Sequence, residues 1–507
     1  MTSDLHFVPT EFRKEPKRMF SSKRIFPQLS LRNSDYSISV VSEESDQWML
    51  VHGYSGAVDS VDKLTFEWVQ RGLNGPPPSS DVIKHLAKRG YITTKTSLEE
   101  QAIVSERAQK LRTSQVIKPT YTIILSYDCN FRCTYCAQRT TQRKGRGHLD
   151  HGMSDEMLDS ALSFMEATPS DDITLYGGEP FIQANAVRAR RLLRWARDRS
   201  TPVHCISNGA EWRDFDDVFD PEHISGIQVT LDGGPEIHDR RRVGLGKKQT
   251  FWGIIENVEW ALKRGIPIVC RVNTDRTNIF DLPELTEILQ QRKFYDYDFS
   301  LYLAAVTDNT VMKTGALFEP GELFDRVLDV HTEACNEADT GNVLFNSDYL
   351  PDFRHQLTQA LNENKPLQYR GLYCGAYTSM YTLDPRGLLY ACWDVSDDSD
   401  NAIGTFFPKV EYFDTVVDRW RGRIDSVLLK DCLTCPYVLL HGSGCQAKAY
   451  RENGEYFERD CQEFPREFEI AAKAALGKLK IRTRKPVYPP MGKLAGRRDQ
   501  KLPVIVN

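Results

Sequence analysis

The feature that most constrains this chain is a loop with three cysteines. Cys129, Cys133 and Cys136 lie in Ser126-Tyr127-Asp128-Cys129-Asn130-Phe131-Arg132-Cys133-Thr134-Tyr135-Cys136, just after the apolar, β-rich run Tyr121 to Leu125. A C-x3-C-x2-C loop this compact can wrap one corner of an iron–sulfur cube and give one thiolate to each of three irons. The fourth iron is then left without a protein ligand. Four-cysteine spacings close a cluster for electron transfer; three leave an open site where chemistry can occur. The alternative is a partial zinc site or three unrelated thiols, although a zinc knuckle prefers C-x2-C pairs with a fourth ligand nearby.

A second signal follows at Leu175-Tyr176-Gly177-Gly178-Glu179-Pro180. Two glycines after a strand let backbone approach a ligand closely, and a carboxylate there can accept hydrogen bonds from an ammonium group. Alone, this run is a turn signal. With the three-cysteine loop it resembles the radical SAM superfamily and its GGEP motif. The resemblance implies a [4Fe-4S] cluster on Cys129, Cys133 and Cys136, with S-adenosylmethionine on the open iron. It places Tyr135 near the adenine and Gly177, Gly178 and Glu179 at the methionine ammonium.

The chain has 507 residues, which suits two or three domains. Its apolar fraction of 40% and charged fraction of 27% are those of a soluble globular protein. A net charge of −5 gives no global field toward nucleic acid or membrane, so neither is an expected partner. No stretch approaches the ~20 apolar residues of a membrane span, and the basic N-terminus lacks the apolar core of a signal peptide. Twelve cysteines in such a chain read as metal ligands in a reducing cytosol, and a cytoplasmic location is expected.

Residues 1–30 read as a flexible basic lead-in. A small unit at 31–115 follows, with strands at Tyr36 to Val41 and Trp48 to His52, helices near 61–71 and 80–89, and Gly90 placed to end the second helix. It resembles the winged-helix peptide-recognition domains of peptide-modifying enzymes; the alternative is a plain cap on the barrel. From 116 to 315, strand-like runs alternate with helical patterns, the sign of an α/β fold with a parallel sheet. Candidate strands are 121–126, 172–176, 202–207, 226–231, 267–273 and 298–304. These six units resemble a partial (β/α)6 TIM-like barrel, in which chemistry sits at the strand C-termini. Ser207, Asn208 and Arg271 fall there, and the resemblance makes them polar contacts to the ribose and methionine carboxylate. Asp232, His238 and Asp239 fit the family's habit and receive no role. Residues 316–370 read as a helical, polar linker. The basic tail at 476–507 is ordinarily a solvated segment; contact with an acidic peptide or nucleic acid is the alternative.

Six more cysteines occupy 371–475: Cys374, Cys392, Cys432, Cys435, Cys445 and Cys461. A hairpin turning at Asp384-Pro385-Arg386-Gly387 would bring Cys374 and Cys392 together. The layout resembles the SPASM extension, which carries auxiliary iron–sulfur clusters. Its pattern has cysteine where this chain has His441, and a neutral imidazole can ligate iron. Position by position, the resemblance gives Cys432, Cys435, His441 and Cys461 to an outer cluster and Cys374, Cys392 and Cys445 to an inner one. The inner cluster would have an open iron, because no cysteine lies between Cys374 and Cys392. One or two auxiliary [4Fe-4S] clusters are therefore expected, against the alternative of structural zinc. Cys205, Cys270 and Cys335 have no spacing partner and read as structural thiols.

The implied reaction is reductive cleavage of S-adenosylmethionine by an electron from flavodoxin or ferredoxin, then hydrogen abstraction from a peptide or protein side chain. Auxiliary clusters would take up the electron left when the substrate radical is oxidised. The first expectation is an oxidoreductase that crosslinks a ribosomal precursor peptide carrying a leader. The second is a formylglycine-forming sulfatase maturase. In that family an aspartate follows the cysteine matching Cys392 directly; here Trp393 intervenes and Asp394 follows, as a candidate catalytic base. A non-catalytic zinc or iron–sulfur protein that binds peptide or transfers electrons is the third.

Overall fold

A computed structural model of the chain describes residues 31–42, 47–113, 118–136, 138, 152–170, 172–306, 316–319, 321–337, 353–376, 378–396, 398–427, 432–461 and 464–476. The lead-in at 1–30 and all but the first residue of the basic tail lie outside them, as does the side chain of Cys335. Among the described residues no helix is long and apolar enough to cross a membrane.

The N-terminal unit opens with β1 (Arg32–Asn33), then an antiparallel sheet of β2 (Ser37–Ser42), β3 (Gln47–His52) and β4 (Val58–Val61). Burial alternates along β2, with Ile38 and Val40 inward. One face of the sheet packs helices Lys63–Gln70 and Ser80–Arg89 through Leu50, Phe66, Trp68 and Leu86. Asp62 and Ser79 cap these helices by accepting from Thr65 N and Val82 N. Gly90 ends the second with φ of 100°, a left-handed conformation that favours glycine. β5 (Ile92–Thr93) pairs with β1. A helix at Ser97–Thr113 then follows, which sequence analysis does not name. Its signal is the capping box Thr96-x-x-Glu99, whose side chains and amides bond reciprocally at 2.7 and 3.3 Å.

Six parallel strands form the main body: β6 (Thr120–Ile124), β7 (Ile173–Tyr176), β8 (Val203–Ser207), β9 (Gly226–Thr230), β10 (Ile268–Thr274) and β11 (Phe299–Ala305). All six stand within two residues of the expected positions. Helices Asp155–Ala167, Ala186–Asp198, Phe251–Lys263 and Leu282–Gln291 connect successive strands. Both strand faces are covered, so Ile173, Leu175, Val203, Ile227, Val229, Cys205 and Cys270 are fully buried in one large core.

The sheet does not stop at β6. β12 (Met380–Leu383) pairs parallel to β6, and β13 (Leu388–Tyr390), β14 (Ala402–Thr405) and β15 (Glu411–Tyr412) continue antiparallel, giving ten strands in order β11-β10-β9-β8-β7-β6-β12-β13-β14-β15. The turn between β12 and β13 is the expected one: Asp384 Oδ1 accepts from the amides of Arg386 and Leu388, and Gly387 takes φ of 80°. The C-terminal cysteine hairpin is thus part of the barrel sheet. Nor is 316–370 only a linker. Helix Phe353–Glu363 packs with helix Phe464–Ala475 beneath the second face of the N-terminal sheet, through Leu357, Ala360, Phe468 and Ala471.

Candidate active site

The three-cysteine loop leaves β6 and is clamped from two sides. On one side Glu179 N donates to Asp128 O at 2.8 Å, and Gly178 lies so close that an added Cβ would stand 2.0 Å from that same oxygen. Gly177 and Gly178 take φ of 91° and 32°. Gly178 therefore serves a close crossing of backbone on backbone, while Gly177 leaves room for the Ile124 side chain, 2.3 Å from where its Cβ would stand. On the other side Arg132 N donates to Val243 O at 2.8 Å, Thr134 N to Arg241 O at 2.9 Å and Leu245 N to Asn130 O at 3.0 Å.

The loop gathers its thiols in a buried place. Burial, Glu179 and the two other thiols push Cys129 well above the ordinary thiol range. Burial pushes Cys133 up to about 11, opposed by the Arg242 guanidinium. Cys129 and Cys133, held above the usual thiol range, need an added cation to ionise together, and iron would supply it. The donor set is all sulfur, and Asn208 Nδ2 reaches toward Cys129 Sγ at 3.8 Å. These residues fit an iron–sulfur cluster.

The other predicted residues of the rim are tied mostly to one another. Glu179 is 2% exposed; its carboxylate accepts from Ser207 Oγ at 2.7 Å, Asn208 N at 2.6 Å and Phe181 N at 3.0 Å. Burial nevertheless raises its pKa to about 7. Ser207 also accepts from Trp212 Nε1, and Asn208 Nδ2 donates to Asn130 Oδ1 at 2.6 Å, within the cysteine loop. Tyr135 turns its hydroxyl into the barrel rim, where it donates to Asp232 and accepts from Arg242 Nη1 at 2.7 Å and Asn273 Nδ2 at 3.2 Å. Arg271 bonds Asn273 Oδ1 at 2.8 Å beside the Tyr302 ring. Asp232 and His238 are fully buried, and Asp239 accepts from the amides of Thr250 and Phe251 at the start of a helix.

Sequence analysis passes over Arg241 and Arg242. Arg241 bridges Asp275 at 2.7 Å and stacks over the Tyr135 ring, while Arg242 lies beside Cys133, Tyr135 and Asp232. The cationic run Arg240-Arg241-Arg242 was the available signal; its burial comes only from the fold.

The second cysteine set falls into two neighbourhoods. Cys374, Cys392 and Cys445 feel one another's charge, as do Cys432, Cys435 and Cys461. Among the described residues no three His, Cys, Asp or Glu side chains come close enough to share one metal ion, and a four-iron cube spreads its thiolates wider than a single ion does. His441 ends the short helix Val438–His441 and packs between Tyr373 and Phe464, with ring centroids at 5.5 and 4.6 Å. Burial and the nearby cations Arg370, Arg423 and Lys448 lower its pKa to about 4, so its ring is neutral near pH 7. The N-terminal unit leans on this region: the Tyr36 hydroxyl donates to Leu433 O, and a Cβ on Gly53 would stand 2.0 Å from Pro436 O. Asp394 is held by the Arg451 guanidinium. It shares its short helical turn with Trp393, whose ring lies 6.3 Å from that of Tyr176, the residue before Gly177.

Comparison with known proteins agrees with this geometry. Residues 123–284 match the model of the Radical SAM superfamily. The chain is 23% identical over 184 residues to the Fe-coproporphyrin III synthase of Methanosarcina barkeri, covering 36% of this chain and 44% of that one. It is 26% identical over 158 residues to the serine-type anaerobic sulfatase-maturating enzyme of Bacteroides thetaiotaomicron, covering 29% of this chain and 38% of that one. It thus spans less than half the length of these curated relatives. The solved structure of native anSMEcpe with bound AdoMet shares the fold, with a TM-score of 0.53 at 16% identity, covering 71% of this chain and 98% of that chain.

Proposed function

Taking as premise that residues 123–284 are a radical SAM domain, and the chain therefore an enzyme of radical SAM type, we propose that it modifies a side chain of a peptide or protein. The single observation that carries the proposal is the union of sites. The hairpin bearing Cys392 is built onto the edge of the barrel sheet, and Cys392 and Cys136 both lie near Tyr176, so one cysteine of the second set stands beside the three-cysteine loop. When bound, a [4Fe-4S] cluster and S-adenosylmethionine supply a 5′-deoxyadenosyl radical able to take hydrogen from an unactivated C–H bond.

The chain's own residues do the rest. Cys129, Cys133 and Cys136 hold the cluster. Gly177, Gly178 and Glu179 fix the loop that bears it, with Ser207 and Asn208 bracing Glu179. Arg271 and Tyr135, braced by Asn273, Asp232 and Arg242 at the barrel rim, would contact S-adenosylmethionine. Cys374, Cys392 and Cys445, and separately Cys432, Cys435 and Cys461 with His441, would hold auxiliary clusters.

A peptide substrate is supported by the N-terminal unit. A groove of about 730 Å³ runs beside β4, one edge of its sheet, lined by Lys88 and by His85 and Arg89, which pair with Asp59 of β4. An extended leader segment could add there as a strand. The anSMEcpe fold is also known with bound AdoMet and Cp18Cys peptide, at a TM-score of 0.52 and 14% identity. Crosslink formation is the reading preferred for the reaction, with flavodoxin or ferredoxin as electron donor. Formylglycine formation is the second reading, favoured by the sulfatase-maturating relatives. The Arg451 clasp on Asp394 counts against it, since a base needs a free carboxylate.

The test is mass spectrometry of candidate peptides after anaerobic reaction. Loss of two hydrogen atoms between unmodified side chains supports a crosslink. Conversion of a cysteine or serine to an aldehyde selects the second reading. S-adenosylmethionine cleavage with no change in any peptide or protein offered would overturn both.

A further inference from the structure

Arg423 sits in the helix Asp414–Val427 and is 6% exposed. Its guanidinium donates only to backbone carbonyls: to Gly444 O at 3.1 Å, Ser443 O at 3.1 Å and Glu458 O at 2.9 Å. The first two carbonyls immediately precede Cys445, and the third lies three residues before Cys461. Its Nε has no hydrogen-bond partner among the described residues. A cavity of about 40 Å³ is walled by Arg423 together with Cys374, Tyr373, Ser443 and Gln446.

No described carboxylate pairs with this cation. The nearest candidate, Asp460, is engaged elsewhere, accepting from Cys445 N at 3.1 Å and facing Lys448 Nζ at 3.6 Å. A buried charge without an ion partner is costly, and proteins seldom keep one unless an anion completes it. The acidic groups whose charge reaches Arg423 are Cys445, Asp460, Cys374 and Cys432, so cysteines of both neighbourhoods face it beside one carboxylate. Thiolates on a cluster are anionic, so loaded clusters would supply the missing negative charge from both sides.

We propose that Arg423 is a buried counter-ion shared by the two auxiliary cysteine sites, and that it raises the reduction potential of whatever clusters they hold. The inference rests on the reading of these sites as auxiliary cluster sites. A reduced cluster carries one more negative charge than an oxidised one, so a fixed cation nearby favours reduction. Arg423 is a positioning residue: it touches neither substrate nor the reacting atoms.

The test uses the full chain, reconstituted anaerobically, with Cys129, Cys133 and Cys136 replaced by alanine so that only auxiliary signals remain. Midpoints are read by EPR-monitored titration in this background and with Arg423→Gln, Arg423→Lys or Gln446→Glu added. Arg423→Gln removes the charge. Gln446→Glu sets a carboxylate beside the guanidinium while leaving its three carbonyl bonds in place. Both are expected to lower every auxiliary midpoint, changing the reduced-to-oxidised ratio at fixed potential about tenfold or more, about 59 mV for one electron. Arg423→Lys keeps the charge and should stay nearer the parent. Should Arg423→Gln fail to retain iron, Gln446→Glu carries the test alone. Unmoved midpoints in Gln446→Glu overturn the proposal, as does an equal fall in Arg423→Lys and Arg423→Gln. Failure of the underlying reading looks different: the otherwise unaltered chain would then hold only about four irons, one cube, with zinc or nothing at the second set.

Discussion

The two cysteine regions settle their buried charge in opposite ways. At the barrel rim Arg242 meets the Tyr135 hydroxyl, which bonds Asp232, and neighbouring Arg241 pairs with Asp275. In the C-terminal region Arg423 meets carbonyl oxygens alone. The rim cations therefore face acidic groups of the chain itself, although Arg241 Nε and Arg242 Nε, like Arg423 Nε, have no hydrogen-bond partner among the described residues. The difference would suit two tasks under the proposed reading: a rim that fixes one geometry for a reactive cofactor, and a site whose surroundings tune the potential of what it holds.

The largest effect that separates the regions is removal of a first-loop ligand. Cys129→Ala should reduce 5′-deoxyadenosine formation to background and lower bound iron by about four per chain, one cube, while auxiliary EPR signals persist. Loss of all iron from this variant would show that the two regions are not independent. Next comes Gly178→Ala, whose new methyl would stand 2.0 Å from Asp128 O. The loop must shift, at a cost of about 1–3 kcal/mol. Lower thermal stability together with weaker occupancy of the barrel cluster alone is the expected outcome, and normal loading would break the account of the glycine clamp.

A third effect, of similar size, is a pH dependence of the cluster-free protein. Glu179 rises from its ordinary 4.5 to about 7 in the folded state. Between those values the folded chain holds a proton that the unfolded chain has released, so stability falls as pH rises through that window. The change is on the order of 3 kcal/mol, present in full below about pH 4.5 and lost above about 7. Denaturant titrations across the window should show the slope, and Glu179→Gln should flatten it; an equal slope in both proteins would assign it to other groups. The smallest effect is that of His441→Ala. It should alter only the auxiliary spectrum, leaving 5′-deoxyadenosine formation without peptide within about twofold of the parent, less than 1 kcal/mol.

Much of this was legible in the sequence. The six barrel strands announce themselves because each is an apolar run ended by a turn or a polar rim, as at Ser207-Asn208-Gly209. The position of Gly90 likewise ends its helix. What stayed hidden depends on distant contacts. Nothing local says that Met380 faces Thr120, yet this pairing joins the C-terminal hairpin to the barrel. An arginine reads as a surface residue until packing buries it, so Arg242 and Arg423 passed unnoticed. Tyr135 was expected at the adenine because of its place beside Cys136; its hydroxyl is drawn inward by Asp232, which lies 97 residues away.

The most direct test of the central claim is single-turnover assay of S-adenosylmethionine cleavage by the anaerobically reconstituted chain with dithionite. The account predicts 5′-deoxyadenosine from the unaltered chain and none from Cys129→Ala, Cys133→Ala or Cys136→Ala. A chain that carries its iron and sulfide in full yet makes no 5′-deoxyadenosine, with or without peptide, would contradict it.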